Sequence, residues 1–287
     1  MRRWVQRAVW VMCFLGLWPV DARATFSVVA ADRSAGLVGG AGASCLGSGL
    51  SVSVIYGAVP RAGVVHVQAE LGGPLRMAAA LDGLRAGRAP ELIVSELTSP
   101  DFDPGFARRQ YLFADLQGRR ASFTGLETGA FAGDRTGRID DTEFAVGGNL
   151  LAGPAVIDGL EAGVLLGCDL PERLIEALER AAAAGGDRRC APAAADGAFL
   201  RVESATEVLL DLRVDNRVDA IEVLRADFDR WRANHPCPTT VAPPAGTPAA
   251  GEGCAAASLA PTGAWLLFAA LVRRRRTTHT ALRCRRV

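Results

Sequence analysis

One stretch decides the fold: Thr25-Phe26-Ser27-Val28-Val29-Ala30-Ala31, followed by the turn formers Asp32-Arg33-Ser34-Ala35-Gly36 and by a second apolar run, Leu37 to Ser44. Two apolar runs of strand length on either side of such a turn are typical of a β-hairpin. Both runs are apolar almost without interruption, and strands of this kind are covered on both faces. The sequence therefore predicts a hairpin buried inside the domain.

After this hairpin, the sequence predicts further strands in hairpin groups, with helices between them. Further strands are expected at Leu50 to Tyr56, Gly63 to Ala69, Gln110 to Asp115, Arg119 to Thr124, Glu143 to Val146, Phe199 to Glu203 and Val208 to Val214. Helices are expected at Pro74 to Arg85, Pro90 to Leu97, Pro154 to Leu166, Pro171 to Ala184 and Ala220 to Ala233. Hairpin groups with helices in pairs between them predict a layered α+β domain rather than a regular βαβ alternation.

The residues before the hairpin predict a secretory signal peptide, residues 1–24. Met1-Arg2-Arg3 is a positive start, Ala8 to Val20 is an apolar run, and Ala22 with Ala24 forms an Ala-x-Ala cleavage site. Cleavage there leaves Thr25 first. A free α-amine is partly neutral near physiological pH, so it can take the proton of its own residue's hydroxyl. We therefore expect Thr25 to be a nucleophile; the alternative is that it is only the residue that cleavage leaves first.

Composition narrows the function classes. The chain has 287 residues, of which 49% are hydrophobic, and a net charge of +1. Such balanced charge favours neither nucleic acid nor a strongly acidic partner. Every basic residue is arginine, so no lysine can serve as general base, Schiff-base former or amine nucleophile. Residues 25–235 are long enough for one domain with a well-buried core.

The seven cysteines fit an exported protein. Cys168 and Cys190 flank one of the predicted helices, and we expect a disulfide between them. It would close a loop of 22 residues (190 minus 168), worth roughly 3 kcal/mol in the chain-entropy model. Cys45 and Cys237 are left as a second pair or as free thiols. The sequence has no Cys-x-x-Cys and no Cys/His cluster, so we expect neither a metal nor another cofactor.

Motifs spread over most of residues 25–214 point to a family. The most specific are the opening strand Thr25 to Ala30 with Asp32 and the block Gly148-Asn149-Leu150-Leu151-Ala152-Gly153. Others follow in order: Gly63-Val64-Val65, Gln68-Ala69, Arg109-Gln110, Asp115-Leu116-Gln117-Gly118, Thr124-Gly125 and Gly185-Gly186-Asp187. Together they resemble the uncharacterised family known as domain of unknown function 1028.

That family resembles the N-terminal-nucleophile hydrolases. The resemblance implies a four-layer αββα sandwich in which the first residue of the first strand lies in a cleft between two sheets, and it strengthens the case for Thr25 as nucleophile. Where the family pattern is Gln-Ala-x-x-Asn-Pro, this chain reads Gln68-Ala69-Glu70-Leu71-Gly72-Gly73-Pro74 without the Asn. His66 stands where a smaller residue is usual. Both departures fall in a stretch expected near the cleft, so no substrate preference is carried over.

Two residues are candidates for direct partners of Thr25. Asn149 follows two glycines that let backbone approach closely, so its amide or a nearby N–H is the candidate oxyanion donor. The alternative is an Asn that satisfies a local turn. Ser44 ends the second strand, where it either hydrogen-bonds the Thr25 amine or caps the strand.

A second group of candidates lies on the strand predicted at Gly63 to Ala69. His66, Gln68 and Glu70 share one face by the period-two rule. A His and a Glu on one face form either an acid–base pair or a solvated edge. The loop acids Asp101 with Asp103, and Asp134 with Asp140 and Asp141, have a spacing that fits no calcium loop, and they are expected to be solvated.

The C-terminal end predicts a tether outside the folded domain. Residues 236–253 are a Pro/Ala/Gly/Thr linker. Residues 254–276 hold an apolar run, Ala255 to Val272, and the cluster Arg273 to Arg276, which predict an anchor with its C-terminus on the cytoplasmic side. With Cys254 before the run, the segment resembles the MYXO-CTERM sorting tails, although the short basic tail 277–287 makes it longer than such tails.

We therefore expect a secreted, envelope-tethered domain that hydrolyses amide bonds through a Thr25 acyl-enzyme. Its expected partners are a small-molecule or peptide amide substrate, the membrane through the C-terminal segment, and further copies of the chain in a homo-oligomer. The first alternative is a catalytically silent sandwich that serves as a surface-binding module. The second is an enzyme that uses the face of His66 and Glu70 and does not depend on how its N-terminus is processed.

Overall fold

The computed structural model describes residues 25–47, 49–70 and 74–238. These ranges contain ten strands: β1 (Thr25–Asp32), β2 (Leu37–Ser44), β3 (Tyr56–Val59), β4 (Gly63–Ala69), β5 (Arg109–Asp115), β6 (Arg120–Thr124), β7 (Gly133–Ile139), β8 (Thr142–Asn149), β9 (Gly197–Glu203) and β10 (Val208–Val214). They also contain five α-helices: α1 (Pro74–Arg85), α2 (Pro90–Leu97), α3 (Ala155–Val164), α4 (Leu170–Ala183) and α5 (Ala220–Arg232). Short 3-10 helices lie at Val52–Ile55, Phe106–Arg108 and Arg188–Cys190.

The strands form two antiparallel sheets. The larger sheet has the order β10-β9-β2-β1-β8-β7, and the smaller sheet has the order β3-β4-β5-β6. β1 lies inside the larger sheet, where Phe26 is opposite Ala43 of β2 and opposite Gly148 of β8. The predicted hairpin of β1 and β2 is therefore confirmed. Because β1 has a neighbour on each edge and is covered on both faces, all but its last residue are buried.

Helices cover one face of each sheet. α3, α4 and α5 pack on the larger sheet, where Phe26 and Val28 of β1 share a core with helix residues such as Leu174. The alternate residue Val29 packs with Leu112 of the smaller sheet. α1 and α2 pack on the other face of the smaller sheet. The predicted α+β class is thus confirmed, while the N-terminal-nucleophile type of sandwich stays a prediction.

Two stretches differ from their predicted backbone form. The strand expected over Leu50 to Tyr56 is instead the 3-10 helix Val52–Ile55, with β3 beginning at Tyr56. Val52 and Ile55, three residues apart, both pack against Phe199, which suits a helical rather than an extended backbone. β7 was not expected, because it is an outer strand of the larger sheet whose residues are partly or fully exposed and lack an apolar alternation.

The predicted disulfide between Cys168 and Cys190 is wrong. The structure pairs Cys45 with Cys190 and Cys168 with Cys237, with Cα–Cα distances of 5.6 Å and 6.0 Å. Helix geometry explains the correction. The 14-residue helix α4 separates Cys168 from Cys190, and a helix of this length spans about 21 Å. Bridged Cα atoms lie within about 7 Å of one another, and the chain after α4 carries Cys190 to the end of β2, where the N–H of Cys45 also donates to Asp187.

The expectation that the loop acids are solvated is confirmed for Asp101, Asp140 and Asp141, which are exposed, and wrong for Asp103 and Asp134. Asp103 is 1% exposed and accepts hydrogen bonds from Arg76 and Arg109. The hydrogen bond from Arg76, aided by that from Arg109, holds the pKa of Asp103 well below its ordinary value. Asp134 lies on β7 and accepts hydrogen bonds from the hydroxyls of Ser122 and Thr124. These carboxylates are structural partners of neighbouring strands.

Several predictions concern residues outside the described ranges. They are the signal peptide (1–24), the linker from residue 239 onward, Cys254 with the apolar segment 254–276, and the basic tail 277–287. These stay predictions. Among the helices that the structure does describe, none combines the length and the apolar character that crossing a bilayer requires.

Candidate functional site

Thr25 opens β1 at one end of the space between the two sheets. Side chains alternate along a strand, and Phe26 faces the helices whereas Val29 packs against the smaller sheet. Thr25 has the same parity as Val29, so its side chain also faces the inter-sheet space. It is 2% exposed. The residue expected to be the nucleophile is therefore an internal group of the fold.

Two predicted partners flank Thr25 within the larger sheet. Asn149 of β8 lies directly opposite Thr25. On the other edge, the register that places Phe26 opposite Ala43 puts Ser44 beside Thr25. Opposed residues of an antiparallel pair project to the same face, with Cβ atoms roughly 4.5–5.5 Å apart. The structure thus brings together Thr25, Ser44 and Asn149, and all three are buried.

The side chain of Asn149 also fastens a loop. Its Nδ2 donates a hydrogen bond of 3.1 Å to the carbonyl oxygen of Thr128, in the segment that joins β6 to β7. The N–H groups of Leu150 and Leu151 donate to carbonyl oxygens of the same segment. Asn149 therefore holds the segment between β6 and β7, which is distant in sequence and not a local turn, and it does so directly beside Thr25.

Gln68 belongs to a buried hydrogen-bonded chain that crosses between the sheets. The Ser27 hydroxyl donates to Gln68 Oε1 at 2.6 Å, and Gln68 Nε2 donates to Gln110 Oε1 at 2.7 Å. Gln110 Nε2 donates in turn to the hydroxyl of Thr124 and to the carbonyl oxygen of Gly148. Gln68 thus reaches β1 two residues beyond Thr25, so it fixes the floor of the site and does not contact the hydroxyl.

His66 lies deeper between the sheets, away from Thr25. Its ring packs near the rings of Tyr56 and Phe199, with centroid distances of 5.8 Å and 5.6 Å, and over Gly40. Neither ring nitrogen has a hydrogen-bond partner among the residues that the structure describes. Burial lowers the pKa of His66 to about 3, so the imidazole is neutral at physiological pH. Both expectations for His66, a solvated edge and half of an acid–base pair, fail.

Glu70 directly follows β4, and the backbone turns at Ala69, the last residue of that strand. Ala69 has a φ of 69°, in the left-handed region that a residue with a Cβ seldom adopts. The Arg109 guanidinium donates to the Glu70 carbonyl oxygen at 2.8 Å, and Arg108 donates to the Glu70 carboxylate at 2.6 Å. These bonds hold the corner at Ala69, which borders the space next to Thr25.

A small pocket adjoins Thr25. Its other walls are apolar: Leu46, Leu50, Val52, Val54, Ile55 and Ala69. The cavity volume is about 10 Å³, which is about the room that one water needs. Three of these walls lie on the 3-10 helix Val52–Ile55. Because the sequence predicts a strand there, it does not predict this pocket.

Asp187 lies past the start of β1, and the sequence reading gave it no role. Its carboxylate accepts a hydrogen bond of 2.7 Å from the N–H of Cys45, which follows Ser44, and it pairs with Arg189 at 2.8 Å. Its backbone forms an isolated bridge with Leu151, beyond Asn149. Asp187 thus contacts the chain just after β2, at Cys45, and the chain just after β8, at Leu151. The motif Gly185-Gly186-Asp187 was the signal that could have found it.

The described residues contain two groups with metal-ligand chemistry, and both include a disulfide. One is Cys45, Cys190 and Asp196, and the other is Cys168, Glu172 and Cys237. A thiolate is the form that binds metal, and a disulfide sulfur has none to offer. Neither group is therefore a candidate metal centre in the oxidised protein.

A family model described as a family of unknown function, DUF1028, matches residues 25–224. The chain belongs to this family. The DUF1028 domain is also similar to the crystal structure of protein SPO2555 from Silicibacter pomeroyi, itself matched to the DUF1028 model. The two are 27% identical with a TM-score of 0.60, over 73% of this chain and 86% of that one. No curated protein gives a significant match.

Proposed function

We propose that this DUF1028 domain hydrolyses an amide bond with Thr25 as an N-terminal nucleophile, on a four-layer αββα sandwich of the N-terminal-nucleophile type. The proposal is supported by the position of Thr25. It is the first residue of the family match, it opens an interior strand, and its side chain faces the space between the sheets, with Ser44 and Asn149 as neighbours. Cleavage after Ala24 would give this residue a free amine.

In the proposed reaction, the Thr25 α-amine takes the hydroxyl proton as Oγ attacks the substrate carbonyl carbon. The resulting oxyanion is stabilised by the Asn149 amide or a neighbouring N–H. Collapse of the tetrahedral intermediate breaks the amide C–N bond, and the leaving amine takes the proton back. Water, activated by the same α-amine, then hydrolyses the ester. Ser44, which lies beside Thr25 on β2, orients the amine.

The test combines N-terminal identity with covalent labelling. The exported protein is sequenced from its N-terminus and treated with a β-lactone probe, and the labelled peptide is identified by mass spectrometry. We expect a start at Thr25 and a single adduct on its Oγ. Thr25→Ser should still be labelled and Thr25→Ala should not, while the control Thr136→Ala, on the exposed strand β7, should behave as wild type. Correct processing without any Thr25 adduct would refute the proposal.

A second candidate is the catalytically silent surface-binding module. The observation that favours it is the small volume beside Thr25, about 10 Å³, which leaves little room for a substrate. Thr25→Ala separates the two functions. An enzyme loses its activity with this substitution, whereas a binding module keeps its binding because the substitution alters only one buried side chain.

We also propose that the domain is exported and tethered by residues 254–276. Two disulfides in the described part support an oxidising compartment. Fractionation of cells that carry the full chain, or a chain ending at residue 238, tests the tether. The full chain should sediment with the envelope and the shortened chain should be released in soluble form; release of both would contradict the tether.

A further inference from the structure

We propose that the pocket beside Thr25 receives the acyl side of the substrate, and that this acyl group is short, aliphatic and uncharged. The inference rests on the proposed function and adds a substrate class to it. The six walls other than Thr25 carry only hydrocarbon side chains: Leu46, Leu50, Val52, Val54, Ile55 and Ala69.

Two carboxylates near the pocket, those of Asp196 and Asp187, already have hydrogen-bond partners. Asp196 accepts hydrogen bonds of 2.8 Å from the backbone N–H groups of Leu46 and Gly47. Asp187 is held by Arg189 and by the N–H of Cys45. Arg189 pairs with Asp187 and also donates to the carbonyl oxygen of Cys45, so these charges are engaged with one another and with the backbone, and none of them lines the pocket. An acyl group with its own carboxylate would therefore lose its hydration without gaining a partner, which is strongly unfavourable.

The shape of the pocket favours a short group. Val52 and Ile55 are anchored in a cluster with Phe199, so the floor is fixed by buried contacts. The cavity of about 10 Å³ holds about one water-sized group, so a butyryl chain enters by displacing the partly exposed walls Leu46, Leu50 and Val54. Val54 is different, since its side chain is 43% exposed and stands at the mouth. A longer chain would have to displace the buried floor, and protein interiors resist such overpacking.

The experiment compares matched p-nitroanilides of butyrate, succinate and octanoate on the mature protein with Thr25 first. Butyryl and succinyl groups have nearly the same length and differ in one terminal carboxylate. We expect kcat/KM for the butyryl anilide to exceed that for the succinyl anilide by about 100-fold or more, because burying an unpaired carboxylate costs several kcal/mol. The octanoyl anilide should also be a poorer substrate than the butyryl anilide.

Val54→Arg adds a cation at the mouth of the pocket and should narrow the gap between butyryl and succinyl anilides by about 10-fold or more. The matched control is Val208→Arg, because Val208 is 46% exposed and lies on β10 at the far end of the larger sheet. This control should keep the wild-type ratio.

The outcomes separate the inference from the proposed function. If the β-lactone labels Thr25 but the succinyl anilide is cleaved as fast as the butyryl anilide, or neither anilide is cleaved, the acyl-pocket inference is overturned and the nucleophile stands. If Thr25 forms no adduct and no anilide is cleaved, both fail. An unchanged ratio in Val54→Arg would remove Val54 from the acyl pocket and overturn the inference.

Discussion

Replacing His66 by Leu should make the folded protein less sensitive to acid. The imidazole is fully buried next to Tyr56 and Phe199, and burial lowers its pKa to about 3. In the unfolded chain the ring titrates at its ordinary value, near 6.5. Between these two pH values the unfolded state binds one more proton than the folded state, so stability falls as the pH falls.

The size of the effect follows from that single proton. One proton bound only by the unfolded state lowers the free energy of unfolding by about 1.4 kcal/mol for each pH unit. The unfolded ring is half protonated at pH 6.5, so from pH 6.5 to pH 4.5 the wild type should lose about 2 kcal/mol through His66. His66→Leu has no such proton. Because neither ring nitrogen has a partner among the described residues, the substitution sacrifices no hydrogen bond there.

Urea unfolding followed by tryptophan fluorescence, at half-unit steps from pH 7 to pH 4.5, measures the effect. The difference in unfolding free energy between His66→Leu and wild type should grow by about 3 kcal/mol in favour of the variant over this range. Leu126→Ala is the control, because Leu126 is fully exposed and neither side chain titrates, so its curve should run parallel to that of the wild type. Parallel curves for wild type and His66→Leu would refute the claim that the native imidazole stays neutral.

Three further outcomes are expected. Asp103→Asn should lower the free energy of unfolding by about 3–5 kcal/mol, because it breaks a buried ion network. Asp82→Asn, in an exposed pair, should lower it by less than about 1 kcal/mol, and urea unfolding of both variants checks the difference. Gln68→Leu should lower the free energy of unfolding by roughly 1–3 kcal/mol, because it leaves the buried Ser27 hydroxyl and the side-chain Oε1 of Gln110 without their partner; an unchanged midpoint of thermal unfolding would contradict this. Non-reducing peptide mapping should yield the bridged pairs Cys45–Cys190 and Cys168–Cys237; recovery of a Cys168–Cys190 peptide would contradict the structure.

The elements with strong local signals were predictable. β1 and β2 have the predicted bounds apart from Asp32, which extends β1 into the turn, because Asp32 to Gly36 punctuate two apolar runs. Helix α4 begins and ends within one residue of its prediction, since Pro171 lies in its first turn and Gly185 follows its end. Turn-forming residues and residues that begin or end a helix act on their immediate neighbours, so they can be recognised in a single sequence.

The missed features depend on contacts between distant residues. β7 is polar, and only its pairing with β8 makes it a strand. The burial of Asp103 requires Arg109 and Arg76, which come from different elements, and the burial of His66 requires rings on β3 and β9. For the site, the sequence identified Thr25, Ser44 and Asn149 as a group. It did not identify the pocket, because three of its walls come from the 3-10 helix Val52–Ile55, where the apolar run predicted a strand.

The packing of His66 over Gly40 also restricts how these two positions can change during evolution. A Cβ placed on Gly40 would lie 2.5 Å from Nε2 of His66, closer than side-chain atoms approach one another. A lineage that keeps the imidazole must therefore keep glycine on β2. A lineage that gains alanine at position 40 must first replace His66 by a smaller residue, so the two substitutions have a fixed order.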